Sequence, residues 1–132
     1  MLKILILEDD INRIRTFAAK LSPDRFDVVF VTTARGATDH LEALDFDVVF
    51  LDHDLGGDVY VDPSNENTGS GVVRWILQNM ESVGQPTFVI HSLNTPAAEA
   101  MERDLGSPFE HVYRIPFTQL VSNYLDDPTF LG

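Results

Sequence analysis

The chain has 132 residues, 44% of them hydrophobic, enough for one domain with a sizeable core and no need of a disulfide or a structural metal cluster. It has no cysteine, which excludes disulfides, thiolate metal ligands and a cysteine nucleophile. Nine Lys and Arg against 21 Asp and Glu give a formal net charge of -12. That charge opposes binding to a DNA backbone or an anionic membrane, and it suits a divalent cation or a basic protein partner.

MLKILILEDD at the start is apolar too briefly for a signal peptide, and no later run nears the roughly 18 residues of a membrane-spanning helix. The expectation is a soluble, cytoplasmic protein. Leu2 to Leu7 reads as a first strand, ending at Glu8-Asp9-Asp10. Ile11, Ile14, Phe17, Ala18 and Leu21 then recur at helical spacing, with Asp9 or Asp10 able to cap that helix and Pro23 helping to end it. Asp27 to Val31 is a second strand, and Thr33 caps a helix running through Leu44.

Val48 to Leu51 is a continuous apolar run of the kind a central parallel strand requires, followed by Asp52-His53-Asp54 and two glycines. Residues 56–70 form a long polar loop over the site, whose length makes it either a functional loop or a floppy one. Helix character resumes from Val72 to Met80, with Gly84 and Pro86 as punctuation. Thr87 to Ile90 is a fourth strand ending at His91-Ser92, and Pro96 opens a helix to Leu105. Val112 to Ile115 is a fifth strand, Thr118 to Leu125 a last short helix, and the tail DDPTFLG is expected to be loose.

Five strands alternating with helices predict a single α/β domain, a three-layer sandwich with right-handed crossovers on both faces of a parallel sheet. The order 2-1-3-4-5 is the flavodoxin-like solution, which brings the ends of strands one, three and four to one crevice.

That crevice gathers chemistry. Asp9, Asp10 and Asp52 are carboxylates that repel one another unless a cation neutralises them, and so point to Mg²⁺ or another divalent ion. His53, Asp54 and His91 are candidates for proton transfer, although alternation along an extended chain turns His53 away from Asp52 and Asp54. Arg13 could clamp a phosphate or form a surface ion pair, and Ser92 and Asn94 could bind phosphate oxygens at a helix start. Trp75 reads as helix-face core, and the glycines have no nucleotide-loop spacing.

The acidic pair Asp9-Asp10, then Asp52, Ser92 and Pro116-Phe117, each after its strand, resemble a response-regulator receiver domain, CheY-like in fold. That likeness implies Mg²⁺ in the acidic pocket, an Asp52 able to accept a phosphoryl group and a Ser92 hydroxyl touching that group. The receiver pattern's lysine before the strand-five proline is here Ile115, with Arg114 one residue off and on the other face. DHDLGG at residues 52–57, TGSGVVRW from Thr68 and Gly69 to Trp75, and HSLNTPAAEAM from His91 to Met101 resemble a divergent branch, the cyclic-phosphate processing receiver domains.

The leading expectation is a metal-assisted phosphoesterase acting on a cyclic phosphate of an RNA end or a cyclic nucleotide. His53 or His91 would activate water and the other would protonate the departing oxygen. The alternatives are a non-catalytic receiver-like module that binds or inhibits a protein partner, and a phosphoacceptor receiver using Asp52.

Overall fold

The computed structural model describes residues 1–57 and 60–131; Asp58 and Val59 of the expected loop, and Gly132 of the tail, lie outside the described residues. The chain runs β1 Leu2–Leu7, α1 Ile11–Lys20, β2 Phe26–Val31, α2 Ala34–Ala43, β3 Val48–Leu51, α3 Gly69–Gln78, α4 Met80–Val83, β4 Thr87–Ile90, α5 Thr95–Gly106, β5 Val112–Arg114 and α6 Phe117–Gln119. A π-helical turn, Leu120–Tyr124, closes the helical part.

The five strands form one parallel sheet in the order β2-β1-β3-β4-β5. Each strand sends alternate side chains to opposite faces, so two apolar layers form. Leu5, Leu7, Val49, Leu51, Phe88 and Ile90 pack with α2, α3 and α5, with Trp75 against the edge of that layer. Ile4, Ile6, Val48, Phe50 and Val89 pack on the other face with Phe17 of α1 and Leu120 of the π-helical turn.

Caps fix where the helices begin. The Asp10 carboxylate accepts the N–H groups of Asn12 and Arg13, Thr33 accepts that of Gly36, and Asn94 accepts that of Ala97. Helix α3 starts at Gly69, three residues before the periodic apolar run, because Thr68 caps it by accepting the Gly71 N–H at 3.0 Å. It stops at Asn79, whose side-chain amide donates to the Trp75 carbonyl at 2.8 Å, and α4 restarts as a separate turn.

The C-terminal stretch departs from the expected single helix. α6 widens at once into the π-helical turn, in which Leu125 N–H donates to the Leu120 carbonyl at 2.8 Å. The tail is docked rather than loose: Lys20 Nζ meets Asp126 at 2.8 Å, and the rings of Tyr124 and Phe130 lie 5.1 Å apart. Among the described residues no helix is long and apolar enough to cross a membrane.

Candidate functional site: an acidic row at the ends of three strands

The pairing register places the site. Ile6 lies opposite Phe50, and Phe50 opposite Val89, all on the α1 face. Two residues further along each strand come Glu8, Asp52 and His91, which alternation turns to that same face. One ligand-type atom of each lies within 4.8 Å of the other two. All three side chains are buried.

His91 Nε2 donates to Glu8 Oε1 at 3.0 Å, and Glu8 Oε2 accepts the backbone N–H groups of Asp9 and Asp10 at 3.1 Å each. Burial opposes the ionisation of Glu8, but the His91 hydrogen bond and charge, the Asp10 N–H and Arg13 outweigh it and hold the carboxyl below its usual range. Asp52 behaves oppositely. Burial, helped by the neighbouring Glu8 charge, pushes it up to about 7, against the lowering effect of His91 and of the His53 N–H, which donates at 2.8 Å. His91 Nδ1 finds no partner among the described residues and lies among Phe17, Phe50 and Phe117.

Arg13 rises from the first turn of α1 with Nη1 3.7 Å from Glu8 Oε1 and 4.0 Å from Asp52 Oδ2. Its guanidinium stacks 5.2 Å from the Phe117 ring centroid. It thus reaches across the acidic row, toward Glu8 and Asp52. Arg114 turns away and pairs with Glu102 at 3.2 Å, while Ile115 is buried in the apolar layer beside α1.

Above the row opens a cavity of about 500 Å³, walled by Glu8, Asp9, Arg13, Asp52, Asp54 and Asn94 among others. Asp9 lies at its rim with Oδ2 accepting the N–H groups of Gly56 and Gly57 at 2.6 and 3.0 Å. Asp10 also borders it, with Oδ1 committed to capping α1. Asp54 Oδ1 accepts from the Val61 N–H at 2.8 Å and from Asn94 Nδ2 at 3.3 Å.

The structure does not bring His53 to that cavity. Its ring is fully buried, and its Nδ1 faces the Ser70 N–H at 3.4 Å and the Ser70 hydroxyl at 3.0 Å. A nitrogen that accepts from a backbone N–H carries no proton, so Nε2 holds it and donates to the Val61 carbonyl at 2.8 Å. Ser92 is buried, and its hydroxyl accepts the Asn94 N–H at 3.0 Å, which shapes the start of α5.

Thr68 and Gly69 act on the local structure, Thr68 through the hydroxyl that caps α3 and Gly69 through its backbone. Gly69 N–H donates to the His53 carbonyl at 3.1 Å, and a Cβ at Gly69 would land on the Asp52 carbonyl oxygen. The helix start therefore lies against the acidic strand end, with no room for a side chain between them.

Glu8 is the residue that sequence reasoning missed. In a run of three acids, the strand period of two singles out Glu8, in step with Ile4 and Ile6, as the inward one.

Residues 4–107 match the family model described as the cyclic-phosphate processing receiver domain. A comparison with curated proteins found no match. Among solved structures, the Mn²⁺-bound form of the response regulator Rcp1 is similar with TM-score 0.68 and 15% identity, covering 98% of each chain. A CheY-like receiver domain from Methylobacillus flagellatus is similar with TM-score 0.63 and 18% identity, covering 91% of this chain and 92% of that one. The response regulator TrrA from Thermotoga maritima, in complex with Mg²⁺ and BeF, is similar with TM-score 0.60 and 17% identity, covering 87% and 86%.

The sheet order and the acidic row at its carboxyl edge define a receiver-type, flavodoxin-like α/β protein. Within that class, the chain belongs to the cyclic-phosphate processing receiver domain family.

Proposed function

We propose that the protein is a divalent-cation-assisted phosphoesterase that opens a cyclic phosphate ester, on a nucleotide or an RNA end. The observation that carries this reading is the Glu8–Asp52 pair at the floor of the cavity, with the buried His91 behind it and Arg13 as the cation reaching over it.

The donor set fits a metal. Glu8 and Asp52 are close, buried carboxylates, and Asp52 is raised first by burial and then by the Glu8 charge. A hard divalent ion relieves the repulsion between them, and Mg²⁺ commonly takes one or two carboxylates with waters and phosphate oxygens completing its shell. Asp52, Glu8 and the Asp9 oxygen not engaged by the glycines would hold the ion. Bound there, it would supply positive charge to the phosphoryl oxygens.

The chain's own groups do the rest. Arg13, one face of its guanidinium on Phe117, presents N–H donors to the phosphate. Asn94, fixed by Asp54 at the cavity wall, offers an amide to the same oxygens. His91 acts from behind, since its bond to Glu8 keeps that carboxylate ionised. Asp52, which burial raises to about 7 when no cation is present, would give up its proton as the ion binds and then serve as an ionised ligand. In the reaction, water adds to phosphorus, one ribose oxygen–phosphorus bond breaks, and the water's proton ends on the released hydroxyl.

The test is phosphorus NMR of a nucleoside 2′,3′-cyclic phosphate, and of an RNA ending in one, incubated with the purified protein and Mg²⁺ or Mn²⁺. Conversion to the monoester is expected, falling at least a hundredfold in Asp52→Ala and in Glu8→Gln. Cyclic esters left intact by the wild-type protein would end the reading.

A further inference from the structure

We propose that Tyr60 and the groove beside it form a base subsite, which takes the nucleobase of the molecule whose phosphate enters the acidic cavity. The inference rests on the phosphate reading above and narrows the substrate class to a nucleoside cyclic phosphate, recognised at both ends.

Two adjoining spaces suggest it. A second cavity of about 450 Å³ lies beside the first, and Tyr60 and Asn94 wall both. The chemistry of the two differs. The first holds Arg13 for an anion. The second is walled by Val61, Pro63, Pro96, Ala97 and Ala100, and among the described residues Asp62 is the single charged one and no cation borders it. A phosphate would be repelled there, whereas a neutral planar ring would bury its faces against small apolar side chains. A nucleoside with a phosphate at one end and an aromatic base at the other has that polarity of charge.

Tyr60 is built as a platform rather than as core. Its backbone sits at φ 53, a left-handed conformation that bulky residues avoid, and 75% of the residue is exposed. Strain of this kind persists only when its surroundings impose it, and it concentrates at ligand clamps. Here the neighbouring residue, Val61, is held at both its N–H and its carbonyl. The Val61 N–H donates to Asp54 Oδ1 and the Val61 carbonyl accepts from His53 Nε2, each at 2.8 Å. His53 and Asp54 are thereby positioning residues, fixing the backbone beside Tyr60 where it walls both cavities.

Stacking of one base on an aromatic side chain is lost on alanine substitution at a cost of about tenfold or more in affinity. The experiment compares, by calorimetry with Mg²⁺ present, adenosine 2′,3′-cyclic phosphate with 1-O-methylribose 2′,3′-cyclic phosphate, which lacks the base. The wild-type protein is expected to favour the nucleoside about tenfold or more. Tyr60→Phe should keep that ratio, and Tyr60→Ala and His53→Gln should bring it to within about twofold of one. The ratio cancels any change in the shared phosphate site or in the folded fraction. Equal affinities in the wild-type protein would overturn the base subsite and leave the phosphoesterase reading standing. Tyr60-dependent binding without turnover would support the subsite and overturn the phosphoesterase. Failure to bind either compound would overturn both, and an unchanged ratio in His53→Gln would overturn the positioning role.

Discussion

Glu8 and Asp52 are chemically alike, both buried and neighbours in one row, yet their proton affinities move in opposite directions. The difference lies in what each touches. Glu8 receives an imidazole N–H and two backbone N–H groups, whereas Asp52 receives one backbone N–H and faces the Glu8 charge. The consequence for stability has a definite sign. An unfolded Asp loses its proton near 3.9. Folded Asp52 keeps its proton to about 7. Between those values the folded state binds more protons than the unfolded one, so stability falls as pH rises through the window and is level above it. Asp52→Asn removes this cost and keeps an oxygen for the His53 N–H. Without divalent ions, the variant is expected to be more stable than the wild type by about 2–4 kcal/mol at pH 8 and by about 1 kcal/mol at pH 5. Denaturant unfolding at both pH values measures this, and an equal gain at the two would contradict the assignment.

Residue identities at the site were partly legible. Asp52 and His91 stand out as polar residues ending apolar strands, and Arg13 as a cation in the following helix. Glu8 was hidden by its acidic neighbours, because Asp9 and Asp10 offer the same functional group one and two positions on. His53 misled in another way. An imidazole between two carboxylates reads as proton-transfer chemistry, while its ring is used up by Val61 and Ser70, partners that only the folded loop brings near.

At the scale of elements, the strands were readable because each is built around an apolar run, unbroken in β3 and interrupted by one charged residue in β1 and β2, and their ends shifted by only a residue, as at Phe26 and Arg114. Helix α3 begins earlier than its apolar periodicity indicates, since Gly-Ser-Gly has loop composition although Thr68 caps it as a helix. The reason for those glycines is distance, not flexibility. At Gly69 the two possible explanations differ in sign. Helix propensity alone makes Gly69→Ala stabilising by about 1 kcal/mol. The close approach to the Asp52 carbonyl makes it destabilising by about 2–4 kcal/mol. Urea unfolding of that variant is expected to show the loss. A gain would mean that α3 does not lie directly on the acidic strand end.

For the molecule as a whole, five repeats of strand and helix were enough to predict the sheet order, because crossover handedness leaves few alternatives. The same topology explains how Glu8 and His91, 83 positions apart, come to share a hydrogen bond. Long-range anchoring was not legible. Lys20 meeting Asp126, or Arg74 Nη1 donating to the Pro63 carbonyl at 2.6 Å, carries no local pattern in the chain.

One such anchor makes a distant amide into a gauge of the site. The Ala34 N–H stands in the first turn of α2, where no helical carbonyl can receive it, and it donates instead to Asn67 Oδ1 at 2.9 Å. Asn67 belongs to the same segment as Tyr60, so any outward swing of that segment deep enough to free a bound molecule would strip Ala34 of its acceptor. Solvent deuterium should then enter at Ala34 at the frequency of that swing, slowed by a saturating ligand and hastened in Asn67→Ala, as amide exchange resolved by NMR would record. An amide equally slow in Asn67→Ala would show that the two motions are independent.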